Sequence, residues 1–386
     1  MKARLVKLGE LGTWGSGGTP LASRSEYYGG DIPWLIIEDL NDGFVEKVAR
    51  KITRLGLENS SSKVVPPGTL LIAMYGSIGK LGITRIECAT NQAIAYCKCD
   101  SKKVDTRFLF HLLLHERARF LRAGRGGTQQ NINQEFLRGY EVSLPNLSEQ
   151  QRITGQLEQA DRLRRTRRFA LELSNSFLPA AFASMFGSEA ACLKRWPVAR
   201  LDDCCHRITD GTHVTPEFLS AGVPFIFVKN IDNGSIDFRT DKFISDETHR
   251  QLYGRCPVEQ GDVLYTIVGA TYGQAVTVGD FRKFAFQRHI GHLKPDDQVV
   301  LPKFLAAVMQ LPVVKTQADR WARGAAQPTI NLKELKEFMI PVPPLPLQEQ
   351  FAALVAQHER LRAVQRESLR QSEHLFQSLL HRAFAE

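Results

Sequence analysis

The chain alternates between two hydrophobic textures. In residues 1–125, short apolar runs are broken by turn residues; Ile32-Pro-Trp-Leu-Ile-Ile37 and Gly68-Thr-Leu-Leu-Ile-Ala-Met-Tyr75 predict buried strands. Gly15-Ser-Gly-Gly18, Tyr28-Gly-Gly30 and Gly76-Ser-Ile-Gly79 mark loops whose backbone turns tightly or lies close to a neighbour. Arg107-Phe-Leu-Phe-His-Leu-Leu-Leu-His115 predicts a short amphipathic helix. Residues 196–323 retrace this order. Val223-Pro-Phe-Ile-Phe-Val228 and the run 261–269 read as strands, Ala270-Thr-Tyr-Gly273 as a turn one residue longer than its counterpart, and 303–309 as a helix.

After each mixed segment comes a long polar helix, 147–186 and 345–384. The first spaces apolar side chains at Ile153, Leu157, Ala160, Leu163, Ala170, Leu173 and Phe177. The second does so at Phe351, Leu354, Val355, Leu361, Val364, Leu369, Leu375 and Leu379. Arg165, Arg167 and His358 interrupt the heptads, which suits two antiparallel helices packed mainly on each other and partly against partners. The competing reading folds each helix onto its own globule, but so polar a run buries little there. About 36 residues at 1.5 Å each make a rod of about 54 Å, long enough to hold two globules apart. Pro179 is expected to end or kink the first helix.

The two halves are copies. Shifted by 198 residues, sixteen positions between 126 and 186 match without a gap, among them Gln129/Gln327, Asn133/Asn331, Gln150/Gln348 and Phe186/Phe384. Both globules close on Gly-x-x-Gln-x-x-Ile-Asn (126–133 and 324–331). The two asparagines are placed as helix N-caps, with Glu334 positioned to reach back, and Gln129 and Gln327 to brace the junction with the helix. A Pro-containing strand is expected next in each copy, at 142–145 and 340–346. The domains are therefore drawn at 1–125 and 191–323, with spacers at 126–190 and 324–386. Their loops differ, as suits two related tasks with different targets.

Composition narrows the class. At 43% apolar over 386 residues, the chain has enough for two cores. It carries no apolar run of membrane-spanning length, and no signal-peptide core at its start, so a cytoplasmic protein is expected. Seven cysteines without a C-x-x-C pair read as reduced thiols rather than a zinc site. The net charge of +9 suits a polyanion partner without requiring one.

Catalytic patterns fail one by one. Pro66-Pro67 and Pro343-Pro344 lack the flanking polar and aromatic residues of an amino-methyltransferase tetrapeptide, and no Gly-rich cofactor loop accompanies them. Gly76-Ser-Ile-Gly-Lys80 is no P-loop, because Met74 and Leu81 stand where Gly and Ser or Thr are needed. Glu334 and Lys336 fit a first helical turn better than a nuclease centre. His111 and His115 lack the glutamate of a zincin, and His289 and His292 lack a third ligand. All four read as satisfied or surface histidines.

Gly17-Gly-Thr-Pro-Leu-Ala-Ser-Arg-Ser-Glu-Tyr-Tyr-Gly-Gly-Asp-Ile-Pro-Trp34 resembles the opening of a target-recognition domain in the specificity subunit of type I restriction-modification systems. Asp210-Gly-Thr-His-Val-Thr-Pro216, with Gly222-Val-Pro-Phe225, is similar to the second such opening. Leu144-Pro-Asn-Leu-Ser-Glu-Gln150 resembles the family's spacer entry. The second copy departs from it, with Glu349-Gln350 displaced by two positions. The resemblance covers essentially the whole chain in order. It implies an α+β protein with two paralogous α/β recognition domains, two long antiparallel helices and an internal pseudo-two-fold repeat. It also implies a non-catalytic reader of double-stranded DNA, each domain taking one half of a split target while the helices fix the gap. The helices would carry two modification (methyltransferase) subunits and, through them, restriction subunits. S-adenosylmethionine and ATP with Mg would belong to those partners, no cofactor or metal to this chain.

Such reading needs polar and basic side chains on loops: phosphates orient the protein, while base edges carry the sequence. In the first globule the candidates are Ser16, Thr19, Arg24, Tyr75, Ser77, Lys80, Asn91, Gln92 and Arg125. In the second they are Thr212, His213, Lys229, Asn230, Thr271, Tyr272, Gln274, Arg288, His289, Arg320 and Arg323. Each is equally suited to turn-making or to a solvated charge. The cluster Arg162-Leu-Arg-Arg-Thr-Arg-Arg168 suits either phosphates between half-sites or an acidic partner surface. Two alternatives stay open, a free-standing DNA-binding regulator on this scaffold and a scaffold or decoy for modification subunits.

Overall fold

The computed structural model of the chain describes residues 4–124, 131–232, 234–279, 282–322 and 328–385. It divides into two compact units, Met1–Arg167 with Ser368–Glu386, and Arg168–Glu367. The first is discontinuous, because both dividing points fall inside the long helices.

In the first unit, β1 (Gly12–Ser16), β2 (Leu70–Ala73), β3 (Leu81–Thr84) and β4 (Ile94–Cys99) form an antiparallel sheet in the order β1-β4-β2-β3. Gly43–Val45 extends it in parallel with β3. Both faces of β2 are buried, as its unbroken apolar run requires. Leu70 and Ile72 pack toward Phe108, Leu109 and Leu113 of α1 (Thr106–Ala123), whereas Leu71 and Ala73 join Leu35, Val65 and Ile94 in another core. A second sheet centres on Tyr28–Leu35, which pairs in parallel with Cys88–Thr90. Two expectations need adjusting. The strand expected at 32–37 stops at Leu35, because Asp39 Oδ2 accepts from Ile36 N at 2.9 Å and starts a 3-10 turn. The helix expected at 107–115 runs to Ala123, its start capped by Asp105 on Arg107 N and Phe108 N.

In the second unit, β5 (Cys205–Asp210), β6 (Val263–Thr266), β7 (Ala275–Thr277) and β8 (Ile290–Pro295) repeat the arrangement as β5-β8-β6-β7. Val223–Ile226 again pairs in parallel, with Ala285–Phe286.

The long helices are α2 (Leu147–Leu173), α3 (Phe177–Phe186) and α4 (Leu345–Phe384). A 3-10 turn, Ser174–Ser176, separates α2 from α3, since Pro179 has no N–H to offer the Asn175 carbonyl. Pro346 instead sits in the first turn of α4, where a missing N–H costs nothing, so the strand expected at 340–346 shrinks to Met339–Pro341. Each unit buries the start of one helix against the end of another. Ile153, Leu157 and Ala160 share a core with Phe376 and Leu380; Phe351 and Val355 share one with Phe182 and Phe186. The paired segments are antiparallel inside each unit. Arg167 donates to Ser368 O (2.6 Å) and Arg164 lies over the Phe376 ring, while His358 meets Ser174 O and Phe182 meets Phe351.

The matched glutamines explain how each helix is fastened. Gln150 is fully buried; its Oε1 accepts from Asp105 N (2.8 Å) and its Nε2 donates to Lys103 O and Pro145 O. Gln348 repeats the set on Leu301 N, Val299 O and Pro343 O. Asn133 caps Phe136 N at 2.7 Å, and Glu334 reaches back to Asn331 N at 2.8 Å. No described helix is long and apolar enough to cross a membrane, and all seven cysteines are unpaired thiols. One histidine departs from expectation: His111 is buried, and among the described residues its Nδ1 has no hydrogen-bond partner.

Candidate nucleic-acid interface

Because neighbouring strands run antiparallel, the end of β1, the start of β4, the end of β2 and the start of β3 share one end of the sheet. Ser16 closes β1 opposite Ala95. The chain then lies flat on its neighbours, with Gly17 N donating to Ile94 O and Gly18 N to Thr90 O (2.9 Å). A Cβ at Gly17 would stand 1.8 Å from Thr90 O, so only glycine passes there. That path delivers Thr19 to Gln92, whose Oε1 accepts from the threonine hydroxyl. Asn91 Oδ1 accepts from Ala93 N (3.2 Å) and shapes the adjoining turn. Across the same end, Gly76 and Gly79 both take positive φ in the turn that presents exposed Tyr75 and Ser77. Lys80 follows, its Nζ donating to Ile37 O (3.2 Å). Seven of the candidates thus meet at one edge. Arg24 lies in the next loop and pairs with Glu26 at 3.4 Å.

The second unit builds the same end. Gly211 N donates to Ile290 O and Thr212 N to Phe286 O (3.0 Å), and a Cβ on Gly211 would stand 2.3 Å from Phe286 O. Thr212 Oγ1 donates to Val214 O, and His213 Nε2 lies 2.9 Å from Asp210 Oδ2. Gly269 and Gly273, both at positive φ, bound the turn carrying Thr271 and Tyr272; Gln274 N then donates to Thr266 Oγ1 (2.9 Å). Arg288 is exposed at this end, its N–H on Thr212 O, and the carbonyl of half-buried His289 accepts from Ile267 N. Burial, helped by Arg288, holds His289 below the usual histidine range, which favours the neutral ring.

Not every candidate is free to read. Asn230 is buried: its Oδ1 accepts from Phe227 N and its Nδ2 donates to Asp237 O (3.0 Å). The amide is spent on bracing a turn, so Asn230, a candidate in sequence, does not face the surface where a base would lie. The Tyr272 hydroxyl donates to Asp319 Oδ1 (2.5 Å) and its ring lies under Lys315, so it is clamped to the helix Pro312–Trp321. Lys229 and Arg320 are exposed outside the strand-end loops. Arg125, Arg323, Gln129 and Gln327 lie outside the described residues. The residues that follow them do return to these edges, Asn131 bridging Tyr75 and Thr329 bridging Val268.

Two props were not visible in the sequence reading. Arg117 donates to both carboxylate oxygens of Asp42 and to Gly79 O (2.8 Å), while Asp42 Oδ1 accepts from Leu81 N. This holds the Gly76–Gly79 turn from below. Asp319 does the same for Tyr272. The only local signal was Asn41-Asp42-Gly43, which marks a turn without naming its partner.

On the helices, Ile153, Leu157 and Phe351 are buried and Leu354 is half-buried. Leu163, Leu173 (62% exposed), Phe177, Leu361 (53%) and Leu375 are left on the surface, joined by Phe169 and Val364. The arginine cluster is largely engaged within the chain. Arg164 and Arg165 both bond Asp161, Arg165 also donates to Asp42 O, and Arg167 is held by Ser368 O.

Residues 2–173 and 194–371 each match the family model for the type I restriction modification DNA specificity domain. The chain is 24% identical over 377 residues to the type I restriction enzyme MjaIX specificity subunit of Methanocaldococcus jannaschii, spanning 90% of this chain and 85% of that protein. It is 23% identical to the EcoBI specificity subunit of Escherichia coli, over 83% of this chain and 73% of that one. The fold matches the S subunit from M. genitalium with a TM-score of 0.61 at 16% identity, covering 99% and 96% of the two chains. With two copies of the domain covering most of its length, this chain belongs to the type I restriction-modification specificity family, as the non-catalytic subunit that recognises a DNA sequence.

Proposed function

We propose that each unit reads one half of a split target with its strand-end loops, and that the helices fix the gap between the halves. The recognition domains are then 1–125 and 191–323, and the spacers 126–190 and 324–386. The reading rests on one observation: side chains from three separate loops converge on the same end of the main sheet in both units. Paired hydrogen bonds from arginine to guanine, and from asparagine or glutamine to adenine, would then select bases in the major groove. The exposed leucines of the helices are proposed to dock two modification subunits, through which restriction subunits join. S-adenosylmethionine and ATP with Mg act on those partners.

Selection of binding sites from random DNA tests this, first with the chain alone and then with its modification subunit. The expected product is a two-part motif with a fixed gap, both parts needed. A short contiguous motif in both samples would instead support a free-standing regulator, and no motif in either would support a scaffold.

A further inference from the structure

A nucleophile, a base and an anchoring acid meet in the second unit, away from the strand-end loops. Cys256, at the end of the helix Asp246–Arg255, has its Sγ 3.0 Å from His292 Nδ1. His292 Nε2 lies 2.6 Å from Asp262 Oδ2. The same carboxylate accepts from Glu259 N (2.8 Å) and Lys294 Nζ (3.1 Å), and its pKa is held below the usual range despite burial, so it is ionised. An ionised Asp262 fixes the imidazole proton on Nε2, leaving Nδ1 as the acceptor for the thiol. His292 is fully buried, so solvent does not compete for that position.

The sulfur also has a way out. Cys256 is half-buried and lines a cavity of about 400 Å³ bordered by exposed Arg207 and Arg255, by His249 and Tyr253, and by Asp210, which is itself paired with His213. We propose that Cys256 is a modification site, a thiol activated by His292 that exchanges with small anionic disulfides. In the step, the Cys256 proton passes to His292 Nδ1 as the sulfur attacks one sulfur of the disulfide. The mixed S–S bond forms as the old one breaks, and the departing thiolate takes up a proton, so one thiol is consumed and one released.

The surroundings define what distinguishes this from ordinary thiol chemistry. Arg207 and Asp210 on β5, Asp262 before β6 and Lys294 on β8 face the sulfur, and burial dominates their mixed charges, pushing the thiol up to about 12. Cys205 is a matched control: it is also half-buried and also pushed by burial to about 12, but among the described residues no imidazole hydrogen-bonds its thiol as His292 does that of Cys256. A free thiolate route makes both rates rise about tenfold per pH unit through neutrality. A base-assisted route gives Cys256 a shallower rise with pH, because its proton passes to the neighbouring His292 Nδ1 rather than to hydroxide.

The experiment treats the full chain with oxidised glutathione and follows each cysteine by peptide mass spectrometry between pH 6 and 9. Cys256 is expected to acquire glutathione on the order of 100-fold faster than Cys205, with a shallower rise across that pH range. It should also prefer this anionic disulfide to the cationic cystamine. His292→Gln should bring Cys256 down to the Cys205 rate; if that variant does not fold, the wild-type pH profile decides alone. Equal rates, a profile for Cys256 that rises like that of Cys205, or a preference for cystamine overturns the proposal. Thr212 and His213 border the same cavity, so an adduct would sit beside a reading loop. That consequence rests on the function proposed above, whereas the mass readout stands without DNA.

Discussion

Arg288 and Asn230 look interchangeable in sequence, two polar side chains in loops of the second unit, yet one is exposed and the other is spent inside. Arg288→Ala is expected to leave stability within about 0.5 kcal/mol, because it removes no buried contact. On the proposed function, it should weaken binding to the half-site read by the second unit by about 1–3 kcal/mol, measured by titration against labelled duplex. Asn230→Ala should do the reverse. It strips Phe227 N and Asp237 O of partners, so a melting curve should show a loss of about 1–3 kcal/mol, while target preference is retained. His111 carries a pH prediction. Burial lowers its pKa from 6.5 to about 4, so the unfolded chain takes up a proton that the folded chain refuses. The stability from its neutral form is present in full above about 6.5 and is lost as pH falls toward 4. The whole effect is about 3 kcal/mol, and His111→Leu should flatten that part of the stability–pH curve. A curve unchanged by the substitution would exclude the histidine as its source.

Among the elements, the helices carry two kinds of apolar position that periodicity alone does not separate. Leu157 and Phe351 are buried, whereas Leu173 and Leu361 are not, although all four satisfy the same spacing. Burying a leucine stabilises by about 1.5–3 kcal/mol, so Leu157→Asp should unfold its unit, while Leu173→Asp with Leu361→Asp should leave the melting temperature nearly unchanged. On the proposed function, the double variant should fail to co-purify with the modification subunit. Retained co-purification would place docking elsewhere. The helix ends were legible in advance because their signals are local: Asn133 three residues from Phe136, Glu334 three from Asn331, and Pro179 four past the carbonyl it cannot serve.

At the scale of the whole molecule, an excess of nine positive charges is modest for a DNA-binding protein, and several arginines are engaged within the chain. Binding should therefore weaken with salt, log K falling linearly with log salt concentration at about 0.9 per phosphate neutralised. Arg320→Ala, on an exposed helix end, should lower that slope by about one if it meets a phosphate. An unchanged slope would remove Arg320 from the interface.

The 198-residue repeat, the buried strands, the glycine turns, the caps and the two-domain class were all readable from the chain, because each depends on residues a few positions apart or on identity between copies. Which polar side chains remain free was not readable. Asp42 is claimed by Arg117 from 75 residues away and its carbonyl by Arg165 from 123 away; Tyr272 is claimed by Asp319 from 47 away. The matched glutamines show both sides: their identity was visible in the repeat, but their role came from carbonyls and amides on loops up to 49 residues away. A hydrogen-bonding group in a sequence is only a capacity. Tertiary packing decides whether buried backbone must use it up, since leaving such groups unpaired costs more than losing a surface contact.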